Sequence, residues 1–586
     1  MPLRIRHLPL GFLLLAGAPV ALSQNVACYP AAGEGVDPPA FSFYFPVGLA
    51  VSKGGNVLYA VNSDFDLQWN GGTIQSLDLR MIRRDTVKAI KDPTDPSLPL
   101  ADAPNGNNCP NGPPVVSGLN DAGVQQGWAC APPTNASRYM RDSIAIGAFA
   151  TDAQVSLFDL PSTSPSTSRL FVPVRGDASL TWADVVNDDP NVPPDPNATP
   201  DTYAPFNLEC GTRDAHRRCA RNHRTGNDAT QPGDTRLLTM PGEPFGMAQS
   251  DDGQAIVITH QSDQFSSLFS TFTPNLSSPD GGPPPIDPAL QFVLGGVPTG
   301  GIGIAAIPHD LDAFPACVAD PTSDACKSLI PRPAFLQTSR ASGLVAMLRY
   351  YNDIGYQGSS SLYRPFLQNE ADYPLNVNAG TTDFARGIAI DPSPRIRCKA
   401  KLGPNPLPAD LVACAQIPAR VFIASRGPNS LIIGEVGEPI SQGGSYAPDF
   451  AVFNKTFVLP PGPSAVKMAP VVDEHGNLAL RVFIICFDSG QVIVYNPDTG
   501  MREATIRVGL GPFAITFDPF DYTAAALGKP VATDPNDNIK KYRFAYVASF
   551  TQSYMQVIDL DNSTPDKSTW ATVVYTVGVP TPPKGS

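Results

Sequence analysis

The sequence has little positive charge and, beyond its first residues, no long apolar run. Its 41 Lys and Arg residues are outnumbered by 54 Asp and Glu residues, which gives a net charge of −13. This balance argues against a nucleic-acid partner, because such a partner usually requires a basic surface. The one basic run, 213–224, is interpreted as a solvated loop face. No second apolar stretch of about 20 residues follows the N-terminal one, so we expect the mature chain to be soluble.

The sequence also lacks the short motifs of well-known catalytic and nucleotide-binding sites. It contains no GxSxG, HExxH, Walker or Rossmann pattern, and each of these marks a specific chemistry. The six histidines are far apart in the chain. Even His216 and His223 have the wrong spacing to bind a metal from one face of a helix. Motifs therefore assign no catalytic residue, and whether the protein is an enzyme stays open.

Helical periodicity is nearly absent, whereas one short pattern recurs along the chain. It begins P-x-G-h-A-h, where h is apolar, continues with a β-rich run such as LYAV and ends in a segment such as MQVIDL. Alternating apolar residues bounded by Gly, Asp and Asn turns are typical of strands. A pattern repeated at this scale indicates the architecture before any single residue is interpreted.

Seven copies of the pattern can be placed. They cover 46–79, 143–186, 244–294, 298–353, 384–436, 463–508 and 512–579. Segments such as 504–509 and 573–578 are interpreted as the fourth strand of a unit. Seven four-stranded units predict an all-β, seven-bladed β-propeller, which protects its sheet edges by closing into a ring. An array of β-sandwiches is the alternative, but its units would need about 100 residues each.

Long insertions separate the strands and carry most of the cysteines. The insertions are 80–140, 187–235, 272–290, 309–333, 352–383 and 393–419. Eight cysteines form pairs that are close in sequence: Cys109 with Cys130, Cys210 with Cys219, Cys317 with Cys326, and Cys398 with Cys414. They lack the CxxC spacing and partner histidines of zinc sites, so we expect disulfides that staple the insertions in an oxidising compartment. Cys486 lies in the apolar run VFIICF and is expected to be a buried free thiol.

The N-terminus has the pattern of an export signal. A positive segment with Arg4 and Arg6 precedes the apolar stretch 8–22, and small residues around Ser23 fit a signal-peptidase site. We therefore expect a signal peptide over 1–23, a linker over 24–40 and a single propeller domain over 41–586.

Cys28 allows a second interpretation, a lipoprotein whose mature chain begins at that cysteine. The preceding Asn25-Val26-Ala27 is a poor match to a lipidation signal, because it lacks leucine at its first position. Lipidation at Cys28 would be the only attachment to a membrane. Both interpretations predict export, to the periplasm, the cell surface or the outer membrane as a lipoprotein.

The repeated pattern resembles a known group of bacterial proteins. P-x-G-h-A-h, followed by hYVA and hxVID, is similar to the YVTN/YncE-like and lactonase-like seven-bladed propellers of bacterial envelopes. The resemblance covers most of 46–579 and implies the fold, but it transfers no catalytic residue. The opening FYFPVGLAVSKGGNVLYAVNSDFDLQWNGG (43–72) is also similar to propeller lipoproteins of soil deltaproteobacteria.

Equivalent repeat positions predict where a functional site would lie. Residues directly after each second strand should form a ring at one end of the propeller. The candidates for ligand binding at this rim are Asn62, Arg175, His260, Arg340 and Arg426. Arginine's planar fork suits carboxylate or phosphate groups. The alternative is that each arginine pairs with a nearby Asp such as Asp177 or Asp488 and has only a packing role.

A second ring is formed by the x of P-x-G and its equivalents. Its members are Val47, Phe245, Arg386 and Phe513. We expect this ring to line the channel and to serve packing.

One short segment suggests a metal site. Asp64 and Asp66 alternate with Asn62 in NSDFDL, so on a strand they would share a face. Hard oxygen ligands of this kind bind calcium. The alternative is a polar loop closed by turn-favouring Asn and Asp. No other cofactor is expected.

Two functions follow from these patterns. The first is an exported, monomeric, non-enzymatic scaffold or binder, whose partner is a protein or a small anionic ligand. The second is a lactonase-like hydrolase or isomerase that uses the central funnel, with His260, Asp64 and Arg340 as its candidate residues. Such an enzyme would need a general acid or base, or a metal, at the channel mouth.

Overall fold

The structure is a computed structural model that describes most of the repeat region. The described residues are 35–91, 118–119, 125–127, 133–156, 168–185, 206–231, 234, 236–251, 253, 255–271, 287–327, 332–351, 365–375, 384–437, 441–442, 445–446, 450–534, 538–564 and 569–579. The expected signal peptide and Cys28 lie outside the described residues.

Antiparallel sheets follow one another along the chain as seven blades. Blade 1 comprises Pro46–Val51, Val57–Asn62, Gly72–Asp78 and Met140–Ile146. Blade 2 comprises Gln154–Val155, Ser168–Val174, Ser179–Val185, Leu208–Glu209 and Arg224–Thr225. Blade 3 comprises Pro244–Gln249, Ala255–His260, Phe265–Ser270 and Ala289–Gly295. Blade 4 comprises Gly301–Ala306, Ala334–Ser339, Leu344–Tyr351 and Phe366–Pro374.

The C-terminal half continues in the same order. Blade 5 comprises Ala385–Asp391, Ala419–Arg426, Asn429–Gly437 and Phe450–Val458. Blade 6 comprises Pro463–Val472, Leu478–Cys486, Gln491–Asn496 and Met501–Arg507. Blade 7 comprises Pro512–Phe517, Phe544–Ser549, Tyr554–Asp559 and Thr572–Val577. The predicted seven-bladed propeller is thereby confirmed, as are the fourth strands expected at 504–509 and 573–578.

Short elements occupy the insertions. The α-helices are Leu79–Lys91, Pro315–Ala319, Asp324–Lys327, Ser393–Ala400, Pro408–Ala415 and Tyr522–Ala526, and the 3-10 helices are Ala136–Arg138, Arg221–His223 and Leu311–Ala313. Further short strands are Gly118–Leu119, Gln125–Gly127, Pro133–Thr134, Ser441–Gln442 and Ser445–Tyr446. Among the described residues, none of these helices combines the length and the apolar character needed to cross a bilayer.

The expected start of the second unit, 143–150, is wrong. Met140–Ile146 is the fourth strand of blade 1, and it pairs with the third so that Gly72 faces Ile146. The first strand of blade 2 is only Gln154–Val155. The long insertion before Met140 separates the fourth strand from the rest of its unit, so its apolar run looks like the beginning of a new repeat.

The insertion expected over 352–383 also contains a strand. Phe366–Pro374 pairs with Leu344–Tyr351 as the outer strand of blade 4. Most of its side chains are only partly buried, because an outer strand has no further strand of its blade beside it. Without a buried face, the segment lacks the apolar alternation by which strands are recognised.

The glycine of P-x-G is required where neighbouring first strands converge. A Cβ atom added to Gly387 would lie 2.6 Å from the Cα of Ala465 in the next blade. At Gly303 the added Cβ would collide with the backbone carbonyl oxygen of Arg386. Only glycine allows the two backbones to approach so closely, and this explains why the residue recurs.

The ring closes without exchanging a strand between its ends. All four strands of blade 7 come from the C-terminal segment, and its first strand lies beside the first strand of blade 1. The insertion of blade 1 adds further contacts to blades 6 and 7 on the outside of the ring. Within it, Gln125–Gly127 and Pro133–Thr134 extend blades 6 and 7 by parallel pairing, and Leu79–Lys91 packs against Thr572–Val577.

Three of the four predicted disulfides are formed. They join Cys210 to Cys219, Cys317 to Cys326, and Cys398 to Cys414. The fourth expected pair differs from these three, because Cys109 and Cys130 both lie outside the described residues. The disulfide between Cys109 and Cys130 is therefore not confirmed by the structure and stays a prediction.

The remaining described cysteine, Cys486, is a buried free thiol, as expected. Burial raises its pKa to about 12. Because the thiolate is the reactive form, Cys486 is inert at neutral pH.

Candidate functional site

The first strands of the blades surround a central cavity of about 380 Å³. The polar and charged residues that line it are Ser63, Thr151, Asp152, Arg175, Gln261, Arg386, Arg426, Ser464 and Lys467. The phenylalanines that line it are Phe65, Phe245, Phe487, Phe513 and Phe550. Of the five rim candidates, Arg175 and Arg426 therefore reach the cavity.

The charge of Arg386 has little compensation in this cavity. Burial lowers its pKa to about 10, and the neighbouring charges of Arg426 and Arg340 act in the same direction. The charge of Asp488 opposes this shift. The Arg386 Nε atom is buried and has no hydrogen-bond partner among the described residues. Because the guanidinium stays protonated at neutral pH, the cavity holds a largely uncompensated positive charge.

Arg426 is only weakly neutralised. Its guanidinium lies 3.8 Å from Asp488, and the two side chains are 31% and 53% exposed. An ion pair this long and this exposed contributes little. Like that of Arg386, the Arg426 Nε is buried without a hydrogen-bond partner within the described part of the chain.

The other two arginines of the predicted rim behave differently. Arg175 forms an ion pair with Glu243 rather than with an aspartate such as Asp177, so its charge is largely compensated. Arg340 is half-buried and is not among the residues that line the cavity. It influences the site through its charge, which lowers the pKa of Arg386.

Lys467 and Asp152 also line the cavity. Burial raises the pKa of Asp152, while the charge of Lys467 and the backbone amides of Ala153 and Met247 oppose this increase. With Asp152 as the single acidic side chain against Arg175, Arg386, Arg426 and Lys467, the described lining is positive. This local balance is opposite in sign to that of the whole chain, and it suits an anion.

Two rim candidates are located in the blade interior. Asn62 is fully buried, and its Nδ2 donates to Thr73 Oγ1 and Gln75 Oε1, both at 2.9 Å. Both ring nitrogens of the buried His260 are 2.8 Å from an oxygen, Nδ1 from the carbonyl of Gly242 and Nε2 from Ser267 Oγ. These side chains complete strand pairing and do not line the cavity, which corrects their placement at the rim.

Asp64 and Asp66 lie in a polar loop, which was the alternative to a calcium site. Neither residue is in a strand, and Asp64 has a positive φ of 51°. Its carboxylate accepts hydrogen bonds from the amides of Trp69 and Gly71, both at 3.2 Å. Asp66 accepts one from the Gln68 amide at 3.3 Å. Across the described residues, no group of three or more His, Cys, Asp or Glu side chains could hold a metal.

The basic run 213–224 forms more ion pairs and hydrogen bonds than the expected solvated loop face would form. Arg213 is paired with Asp142 at 2.6 Å, and Arg217 donates to Ser143 Oγ at 3.0 Å. Arg221, in contrast, is paired with Asp228 on the surface and is 71% exposed. Much of the run therefore anchors the blade 2 insertion to blade 1.

Sequence reasoning assigned Arg386 only a packing role and did not select Lys467 or Asp152. A signal was available for Arg386, because a charged residue at the x position contrasts with the apolar Val47, Phe245 and Phe513. No such signal exists for Asp152. It lies in the blade whose first strand is too short to show the repeat.

Solved structures resemble this chain at low identity. A putative 6-phosphogluconolactonase from Bacteroides uniformis is 14% identical over 80% of this chain and 86% of that one, with a TM-score of 0.35. The periplasmic gluconolactonase of Pseudomonas aeruginosa is 12% identical over 80% and 86%, with a TM-score of 0.33. Hydrazine synthase of Kuenenia stuttgartiensis is 9% identical over 91% and 100%, with a TM-score of 0.40.

No protein-family model matches the sequence, and a comparison with curated proteins finds no match. At the identities and TM-scores above, the solved structures transfer no activity to this chain. Its seven-bladed ring follows from its own strand pairing. The narrower resemblance to YVTN/YncE-like proteins and to deltaproteobacterial lipoproteins stays a prediction.

Proposed function

We propose that this protein is an exported, non-enzymatic β-propeller that binds a small anionic ligand in its central cavity. The observation that carries the proposal is Arg386, a half-buried side chain whose buried Nε lacks a hydrogen-bond partner and whose charge, beside two like charges, has no ion pair among the described residues. A cavity of about 380 Å³ lies within the range of small-molecule sites.

An anion between Arg386 and Arg426 would relieve the repulsion between them. Arginine donates two parallel hydrogen bonds to a carboxylate or phosphate, and such charge-assisted bonds are the strong ones. Each contributes about 1.5–3 kcal/mol, and 1.4 kcal/mol corresponds to about tenfold in affinity. Because Arg426 would still bind the anion, we count the loss of Arg386 as one such bond, which weakens binding by about 10- to 100-fold.

Export is part of the proposal and rests on two observations. The N-terminal segment has the pattern of a signal peptide. Each of three disulfides closes a loop within one insertion of the propeller. Disulfides persist in oxidising compartments.

The test is isothermal titration calorimetry of the purified protein with inorganic phosphate, acetate and succinate. Arg386→Met keeps the bulk of the side chain and removes its charge. Arg221→Met removes an exposed arginine that lies outside the cavity, and it serves as the matched control. We expect binding that weakens with added salt, a 10- to 100-fold loss in Arg386→Met and no change in the control.

Two results would contradict the proposal. The first is equal binding by Arg386→Met and the unmodified protein, with both variants folded by circular dichroism. The second is turnover of simple lactones by the purified protein, which would replace the binder with the hydrolase. The hydrolase has less support, because His260 is already bonded to Gly242 and Ser267 and does not line the cavity.

A further inference from the structure

We infer that the ligand of the central cavity is a small aromatic acid, a molecule that carries a flat ring next to its carboxylate or phosphate. This inference rests on the proposed function, since Arg386 and Arg426 would bind the acidic group. It adds a second half to the site, formed by phenylalanine side chains on the wall beside these arginines.

The phenylalanines form one connected group at the cavity, which we call the aromatic wall: Phe65, Phe487, Phe513 and Phe550. Ring centroids are 5.3 Å apart for Phe65 and Phe550, 5.7 Å for Phe513 and Phe550, and 6.4 Å for Phe487 and Phe513. These separations are typical of attractive aromatic pairs. The wall is therefore a continuous aromatic surface contributed by blades 1, 6 and 7 and the loops that follow their strands.

The aromatic wall directly adjoins the cationic side. The Arg426 guanidinium lies 5.7 Å from the ring centroid of Phe487, and Phe487 contacts both Phe513 and Phe550. A ligand whose acidic group meets Arg426 thus has an aromatic face within one ring's length. A bare anion would leave this surface without a partner.

The wall is open to the cavity and not closed within itself. All of its members line the cavity, and Phe65 is 52% exposed although it is a large apolar residue. Exposed apolar surface beside a positive cavity is typical of a binding site. Aromatic stacking would cover it, and a cation over the face of the bound ring would add to the attraction.

Backbone strain occurs in the phenylalanines next to the wall. Phe45 contacts Phe65 and Phe550 and has a φ of 45°, and Phe149 contacts Phe65 and has a φ of 59°. A bulky side chain in the left-handed region is rare.

Titration calorimetry with matched probes tests the inference on the unmodified protein. Phenyl phosphate is compared with inorganic phosphate, and phenylacetate with acetate and cyclohexylacetate. We expect each aromatic acid to bind at least about tenfold more tightly than the bare anion and several-fold more tightly than the saturated ring.

Variants then locate the ring. Phe513→Leu should weaken phenyl phosphate by several-fold and leave inorganic phosphate unchanged, whereas Arg386→Met should weaken both. Phe366→Leu is the control, because Phe366 stacks on Tyr351 in blade 4 and does not line the cavity. Thermal unfolding verifies that each variant is folded.

The outcomes separate this inference from the proposed function. Equal affinity for phenyl phosphate and inorganic phosphate would overturn the aromatic acid and leave anion binding intact. Cyclohexylacetate binding as tightly as phenylacetate would also overturn it, in favour of a merely apolar tail. If none of the probes binds, both the inference and the proposed function are wrong.

Discussion

The contact between Arg83 and Asp518 holds the insertion of blade 1 against blade 7, and its removal should weaken the closure of the ring. Arg83 Nε lies 2.8 Å from Asp518, and the side chains are 14% and 0% exposed. Asp518 also accepts hydrogen bonds from the Tyr546 hydroxyl at 2.8 Å and from the amides of Arg543 and Phe544. The pair therefore links the helix Leu79–Lys91 to the last blade.

The expected magnitude follows from burial. Removal of one partner from a buried ion pair costs about 3–5 kcal/mol, because the other charge stays buried without compensation. In Arg83→Met, Asp518 keeps its hydrogen bonds from Tyr546, Arg543 and Phe544, so we expect a loss near the lower end, about 3 kcal/mol. The matched control is Arg397→Met, which removes an exposed pair with Asp498 and should cost less than about 1 kcal/mol.

The assay is urea unfolding followed by circular dichroism, with a double-mutant cycle of Arg83→Met and Asp518→Asn. We expect the double variant to lose less than the sum of the two single losses. Hydrogen exchange of Thr572–Val577 should accelerate in Arg83→Met, because Leu79–Lys91 packs against that strand. If Arg83→Met loses no more stability than Arg397→Met and this exchange is unchanged, the insertion does not fasten the ring.

Three further predictions concern single residues. Burial raises the pKa of Asp64 to about 7, so its contribution to stability is present below its unfolded pKa of about 4 and is lost as the pH rises through 7. Unfolding midpoints measured from pH 4 to 8 should fall less with pH in Asp64→Asn, and an unchanged slope would refute this. Gly303→Ala should lower stability by about 1–3 kcal/mol, whereas Gly242→Ala, where an added Cβ has no atom within 4 Å, should be nearly neutral in the same thermal-unfolding assay. Iodoacetamide at pH 8 should leave Cys486 unlabelled in the native protein and label it in urea, as peptide mass mapping would show, and native labelling would mean that the thiol is not buried.

Much of the fold could be predicted because propeller blades are local. Each blade is built from strands that follow one another in the chain, so the P-x-G pattern and the following β-rich run predict strands that pair with each other. The prediction was wrong where this locality fails. Met140–Ile146 belongs to blade 1 but follows a long insertion, and Phe366–Pro374 is an outer strand with few buried side chains.

The candidate site was less predictable than the fold. Register predicted that residues after the second strands approach one end of the channel, and of the five candidates Arg175 and Arg426 line the cavity. It could not show which of these side chains turn inward. His260 follows the same register as Arg426, yet its ring is bonded within blade 3.

The sequence by itself determined the repeat, the number of its copies and the three sequence-local disulfide pairs that the structure describes. Each of these depends on residues that are near one another in the chain or that occupy equivalent positions in every unit. Only the tertiary structure decided that Arg386 lies beside Arg426 and Arg340 without an ion pair among the described residues, and that Phe65 meets Phe550. These residues are far apart in sequence, and ring closure brings them to one cavity. The charge and aromatic balance of that cavity therefore follows from the ring as a whole and from no single repeat.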